Sequence, residues 1–378
     1  MRILLVTTSY PVSKNGSEAA GSFVNDFVET LKEQAHDVAV IAPITNGTSI
    51  THQNGVSHFW FEVPKLPLSL LTPTKFRNWL PIIKTMSQGK KAVDKAINAF
   101  KPDHIFALWA LPSGYWAQYA KKHYGIPYST WALGSDIWSL GKIPLVRSYL
   151  KTILQGADHC FADGYQLADD VTKISGKPCE FLPSTRQLPV CGLPLTQTKP
   201  PYRLCFLGRW HPNKGIDLLL EALQLLDNED WKNIEEVRIA GGGPMESLVK
   251  EQVTQLQKKG CPVNLLGYQD KFGAAELLVW TDFVIIPSRI ESIPVVFSDA
   301  MQAMRPVISM PVGDLPKLMK DFECGYLVTD ISANSLRNAI RLSIKSRGNC
   351  FTSGIMNTKS MFDILIISRK FIYLLSGR

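Results

Sequence analysis

Short apolar runs of strand length alternate with helix-length amphipathic stretches along most of the chain, and this alternation limits the accessible folds more than any other feature. Near the start, residues 3–7 are followed by a Ser/Asn/Gly loop through Gly21. A stretch carrying Phe23, Val24, Phe27, Val28 and Leu31 comes next, then a second apolar run at 38–42. This order predicts a βαβ unit. Further strands are expected at 104–108 and 128–131, separated by a helical stretch at 113–123. Between 182 and 202 the composition shifts to five prolines with little apolar periodicity, which reads as a linker. Beyond it, apolar runs at 204–207, 237–240, 263–266, 283–286 and 307–309 recur roughly every 20 to 35 residues. Alternation of this kind assembles into parallel sheets with helices on both faces.

The expected fold is therefore α/β, two doubly wound Rossmann-like domains facing a cleft. The N-terminal domain spans 1–190 and the C-terminal domain 200–350, with a segment 351–378 expected to pack back on the first. In that segment, 361–367 fits helix or strand equally. A length of 378 residues suits two such domains.

Composition narrows the class. With 45% hydrophobic and 20% charged residues, the chain resembles a soluble globular protein, and no apolar run reaches the roughly 18 to 20 residues that span a bilayer. The first apolar run gives way at once to Thr7, Thr8 and Ser9, too early for a signal peptide. Seven scattered cysteines without a Cys-x-x-Cys pair point to a reduced, cytoplasmic, zinc-free protein. The formal charge of +8 comes with no nucleic-acid motif, so phosphate ligands or an anionic membrane face explain it better than nucleic acid does.

Three pieces carry chemistry. Gly208-Arg209 and Lys214 sit between an apolar strand and a helix start, where backbone N–H groups and fixed cations favour a diphosphate. Gly241, Gly242, Gly243 and Pro244 form a second strand-to-helix turn, open to close approach by a ligand. Glu291 and Asp299 flank a third, in which Ile293, Pro294 and Val295 mark a helix start whose N–H groups can receive donor oxygens. Carboxylates there suit sugar and ribose hydroxyls. Taken singly, each piece is also what an ordinary capped helix start looks like.

Together, in this order and spacing, they resemble the retaining glycosyltransferases of the GT-B fold known as glycosyltransferase group 1, or family 4. The resemblance covers nearly the whole chain. It implies that Arg209 and Lys214 bind the donor pyrophosphate, that Glu291 contacts the transferred sugar, and that position 299 contacts the ribose. Asp299 is one methylene shorter than the family's Glu. The stretch after Glu291 also lacks the family's glycines. Gly21 falls in the family's first strand-to-helix loop, where donor phosphates or acceptor approach, and His36-Asp37-Val38 sits where the family has its Gly-His-x-Val turn. Two family histidines at the cleft are replaced by Leu108 and Leu133, with Trp109, Trp131, Trp138 and Asp136 nearby. Trp109, Trp131 and Asp136 are the acceptor-side candidates. The resemblance further implies retention of configuration without an enzymic nucleophile, the departing phosphate accepting the acceptor's proton. Metal independence is expected, since no Asp-x-Asp occurs and the cations can neutralise the leaving group. No cofactor is expected.

One further stretch bears on the acceptor. Ile82, Met86, Val93 and Ile97 form a helical stripe, Lys84, Lys91 and Lys95 lie on another face, and Phe76, Arg77 and Trp79 precede them. Such an element rests on an anionic membrane face or packs as an ordinary domain helix. The sequence thus suggests a metal-independent hexosyltransferase using a nucleotide-diphosphate sugar and a glycan or glycolipid acceptor in polysaccharide or lipopolysaccharide assembly. A nucleotide-sugar epimerase of the same architecture and a two-lobed binding protein without catalysis are the alternatives.

Overall fold

The computed structural model describes residues 1–11, 21–189, 199–346 and 348–377. The loop ahead of Gly21 (12–20) and part of the proline-rich linker (190–198) lie outside the described residues. The chain divides into two compact units, Met1–Ser184 with Ser368–Arg378, and Thr185–Ile367.

The first unit is built on β1 (Arg2–Val6), β2 (Asp37–Ile44), β3 (Ser49–Gln53), β4 (Val56–Glu62), β5 (His104–Leu108), β6 (Tyr128–Ala132), β7 (His159–Ala162) and β8 (Cys179–Phe181). Their order across the sheet is β3-β4-β2-β1-β5-β6-β7-β8. Every pairing is parallel except that of β3 with β4. Ile3, Leu4, Leu5 and Val6 are fully buried, as expected of a central strand covered on both faces. The helix Ser22–Glu33 turns Phe23, Phe27, Val28 and Leu31 inward. By contrast β3 is exposed throughout and its sequence is polar, so it left no apolar signal.

The second unit carries β9 (Tyr202–Leu207), β10 (Ile234–Ala240), β11 (Val263–Gly267), β12 (Phe283–Ile286), β13 (Val307–Ser309) and β14 (Gly325–Leu327). They form one parallel sheet in the order β11-β10-β9-β12-β13-β14. Both sheets are flanked by helices, so the fold is α/β with two doubly wound units. The ambiguous 361–367 stretch resolves into a 3₁₀ turn, Ser360–Phe362, and the start of the helix Ile364–Ser376. That helix delivers Phe371 into the core of the first unit, with ring centroids 4.2 Å from Phe106 and 5.5 Å from both Phe27 and Phe161. No helix among the described residues is long and apolar enough to cross a membrane.

Candidate functional site

In the second unit the strand order reverses between β9 and β12, and an open parallel sheet of this kind binds ligands at the carboxyl ends of the strands flanking the reversal. The sequence places Arg209 and Lys214 after β9, and Glu291 after β12. Three contacts knit the loops there. Gly215 has φ +65°, and a side-chain carbon on it would lie 1.8 Å from the Pro287 carbonyl, so only glycine lets the two loops pass this closely. The Arg289 backbone N–H donates to the Asn213 carbonyl at 2.8 Å, and its guanidinium donates to the Pro212 carbonyl at 2.7 Å. The same guanidinium grips Asp217 with two bonds of 2.8 and 2.6 Å. Desolvation works against the Asp217 carboxylate, yet Arg289's hydrogen bonds and charge outweigh it and hold the pKa below the usual carboxylate value.

Within this frame the Lys214 ammonium donates to Glu291 Oε1, which also accepts from the Ser288 hydroxyl at 3.2 Å. Arg209 is exposed, and among the described residues no hydrogen bond or ion pair engages its guanidinium. Gly208 and Gly241–Pro244 lie side by side at the ends of β9 and β10. Gly208 N–H donates to the Ala240 carbonyl at 3.1 Å and Trp210 N–H to the Gly242 carbonyl at 2.9 Å; Met245 N–H returns to the Trp210 carbonyl at 3.1 Å. Of the three glycines, Gly241 and Gly243 are packing requirements. At φ +146° a side-chain carbon on Gly241 would lie 1.9 Å from the Gly208 carbonyl, and at φ +150° one on Gly243 would lie 2.7 Å from the Trp210 carbonyl, whereas Gly242 faces open space. Gly243 and Pro244 are exposed.

Ile293 and Pro294 are buried, and Pro294 stands at the N-cap of the helix Val295–Gln302, with no side-chain cap on the first N–H groups. Asp299, on the second turn of that helix, is 1% exposed, and both its oxygens accept from Arg186 at 2.6 to 3.1 Å. Gln302, one turn on, donates to the Thr185 hydroxyl and the Arg186 carbonyl at 3.1 and 2.8 Å. Arg186 precedes Asp299 by 113 positions, and nothing in the sequence around it marked it as a partner.

In the first unit the strand order reverses between β1 and β5. Gly21 stands at the N-cap of the helix Ser22–Glu33, against Tyr10 and Pro11. Trp109 follows β5 with a left-handed φ of 64°, an uncommon conformation for a bulky residue and one that marks functional sites. Two bonds hold this turn: Trp109 N–H donates to the Trp131 carbonyl at 2.9 Å, and Ala110 N–H to Asp136 Oδ2 at 2.6 Å. The other Asp136 oxygen accepts from Leu133 and Ile137 N–H groups at 3.3 and 3.2 Å. Burial pushes the Asp136 pKa up to about 6, against the pull of those N–H groups. Asp136 therefore acts on the loop backbone.

Trp131 is buried in an aromatic cluster with Phe23, Phe27 and Phe106, and its indole donates to the Leu182 carbonyl at 2.8 Å. Trp138 donates to Asp170 at 3.0 Å. Leu108 is buried and Leu133 half-buried. Of the three acceptor-side candidates, Trp109 alone is more than marginally exposed.

Residues 201–345 match the family model described as Glycosyl transferases group 1. An alignment over 377 positions, covering 90% of this chain and 88% of the other, gives 26% identity to a Bacillus subtilis protein assigned to teichuronic acid biosynthesis as the glycosyltransferase TuaC. Over 129 positions, 32% of this chain and 29% of the other, the chain is 30% identical to the D-inositol 3-phosphate glycosyltransferase of Streptomyces scabiei. Among solved structures, sucrose-phosphate synthase from Thermosynechococcus elongatus superposes with a TM-score of 0.74 at 18% identity, over 100% of this chain and 98% of that one. Anabaena HepE in complex with UDP and glucose superposes with a TM-score of 0.69 at 16% identity, over the whole of both chains. The motif-bearing residues 208–299 lie inside the family match and the whole chain shares the architecture, which together support a group 1 glycosyltransferase of the GT-B fold.

Proposed function

We propose that the protein is a retaining, metal-independent hexosyltransferase that carries a sugar from a nucleotide diphosphate to a glycan or glycolipid acceptor in cell-surface polysaccharide or lipopolysaccharide assembly. It acts in the cytoplasm, peripherally on the inner face of the membrane. The observation that carries this reading is the pairing of Lys214 with Glu291 between the β9 and β12 loops at the strand-order reversal, with Arg209 on the first of those loops. The teichuronic acid assignment of the Bacillus subtilis relative supports the polysaccharide setting, and the UDP complex of the Anabaena protein supports a nucleotide donor.

In this reading, Gly208, Gly242, Gly243 and Pro244 let the donor approach the backbone, and the N–H groups at Ile293, Val295 and the following residue receive donor oxygens. Glu291 holds a hydroxyl of the transferred sugar, and Asp299 reaches the ribose beside Arg186. Arg209 and Lys214 stabilise the charge that grows on the departing diphosphate, whose oxygen takes the acceptor's proton as the new glycosidic bond forms. Gly21 lets the acceptor or donor phosphates approach the backbone of its loop, and Trp109 offers its ring to the acceptor from a turn held by Trp131 and Asp136.

A panel of nucleotide sugars, scored for thermal stabilisation and for slow donor hydrolysis, tests the proposal. At least one nucleotide diphosphate should stabilise the fold. Arg209→Ala and Lys214→Ala should each lower turnover by roughly 10²- to 10³-fold, and EDTA should leave it unchanged. Transfer that survives the double substitution would remove the central assignment.

A further inference from the structure

The predicted apolar stripe on the helix Trp79–Phe100 is not what this element leaves uncovered. Val93 and Ile97 are buried, and Met86 packs against the core. Instead, the start of the helix and the turn before it expose a different set: Phe76 at 81%, Leu80 at 80%, Ile83 at 63% and Trp79 at 54%. Spacings of three and four residues place Phe76, Leu80 and Ile83 on one side. Leu70, in the preceding loop, is also exposed.

This apolar knob is fixed by hydrogen bonds. Asn78 donates from its side-chain amide to the Thr72 carbonyl at 3.0 Å, and the Trp79 indole donates to the Pro73 carbonyl at 2.8 Å. The Phe76 and Trp79 rings meet edge to face at 5.6 Å. An ordered, water-facing group of four large side chains exceeds the scatter of single apolar residues normal on a protein surface and marks an interaction site.

Charge identifies the partner. Between Glu62 and Asp94 the chain carries Lys65, Lys75, Arg77, Lys84, Lys90 and Lys91, with no Asp or Glu. Lys65, Lys75, Arg77, Lys84 and Lys91 are exposed. A second copy of this chain would set like charges against each other. Apolar and aromatic side chains ringed by cations suit a bilayer with acidic headgroups, where rings enter the interfacial layer and cations meet phosphates.

We infer that residues 70–84 are a membrane-docking knob selective for anionic lipid, with Phe76, Trp79, Leu80 and Ile83 inserting and Lys75, Arg77 and Lys84 reading the headgroup charge. This attachment is separate from the transfer chemistry, so hydrolysis of a soluble donor reports on the active site while vesicle binding reports on the knob.

The test is flotation of the full chain with vesicles of phosphatidylglycerol and phosphatidylcholine in equal parts, beside vesicles of phosphatidylcholine alone. Binding to the mixed vesicles should exceed binding to the neutral ones by at least about tenfold and fall with added salt. Phe76→Ser and Leu80→Ser should each weaken it by about tenfold, and Lys75→Glu and Arg77→Glu by about fivefold each or more. All four positions are exposed, so circular dichroism and donor hydrolysis should match the wild type. Equal binding to both vesicle types, no binding to either, or binding that survives these substitutions would overturn the inference. So would a dimer in analytical ultracentrifugation that Phe76→Ser abolishes, which would assign the face to a second copy.

Discussion

Lys214 and Glu291 are 77 positions apart in sequence and pair directly in the structure. The acid that should hold the sugar also competes for the ammonium that should hold the diphosphate. Glu291→Gln is therefore expected to tighten binding of a plain nucleoside diphosphate severalfold while lowering transfer by about 10²-fold or more, measured by calorimetry and by initial rates. Unchanged affinity would show that the pair does not compete with the ligand. At Trp109 the backbone provides the control. Trp109→Ala and Trp109→Gly remove the same ring, but only glycine relieves the left-handed φ, so the glycine variant should be more stable than the alanine one by about 1 kcal/mol in chemical denaturation. Both should raise the KM for acceptor by roughly tenfold and leave donor hydrolysis unchanged. At this scale the sequence revealed residue types but not their partners. Arg209, Lys214 and Glu291 could be named from spacing, whereas Arg186 against Asp299, and Asp136 against the Trp109 turn, are tertiary pairings with no local signature.

Strands β1, β2, β5, β6, β9, β10, β12 and β13 were legible because strands inside a sheet bury most of their residues and so carry apolar runs. β11 was read from its short apolar run although it is an edge strand with only Val263 buried. β3 is polar and exposed and β14 is three residues long, so neither carries such a run. The helix Trp79–Phe100 was legible in period but not in orientation, because its first turn projects beyond the core that buries its later turns. β5 also brings a titration. His104 at its start is buried with its Nε2 2.9 Å from the Ser129 hydroxyl oxygen, and burial lowers its pKa to about 4, with Asp158 opposing and His159 and Lys121 assisting.

The unfolded chain takes up this proton near pH 6.5, so stability from His104 is present above that pH and is lost as pH falls towards 4. Asp136, with its pKa raised to about 6, has the opposite sign: its folded form gains protons first, and its contribution grows as pH falls through 6. The two partly cancel in the wild type. His104→Asn, which keeps a polar side chain beside Ser129, should separate them. Relative to the wild type, the variant should gain a few kcal/mol between pH 6.5 and 4 in denaturant titrations. A constant difference across that range would mean that His104 does not titrate as inferred.

For the molecule as a whole, the division of the chain is the governing fact. The first unit draws on both ends of the sequence, Met1–Ser184 and Ser368–Arg378. Phe371, fully buried among Phe27, Phe106 and Phe161, ties the last helix to that core. Phe371→Ala should cost about 3 to 5 kcal/mol, read from the midpoint of chemical unfolding, and a chain ending at Ile367 should lose at least as much. A change below 1 kcal/mol would mean that the helix is an accessory. The doubly wound architecture was readable from alternation alone, but the point at which the chain returns to the first unit was not: the segment expected there began at 351, and the structure returns Ser368–Arg378. An Ile-rich run announces burial without naming the core that receives it.

The same helix has a consequence for biogenesis. The ribosome releases the first 184 residues long before Phe371 exists, so the earliest domain emerges with an aromatic socket facing water while Thr185–Ile367 are still being made. Domains usually complete themselves in the order they are synthesised. Here the second unit has all its residues before the first, which closes only once Ser368–Arg378 have been made.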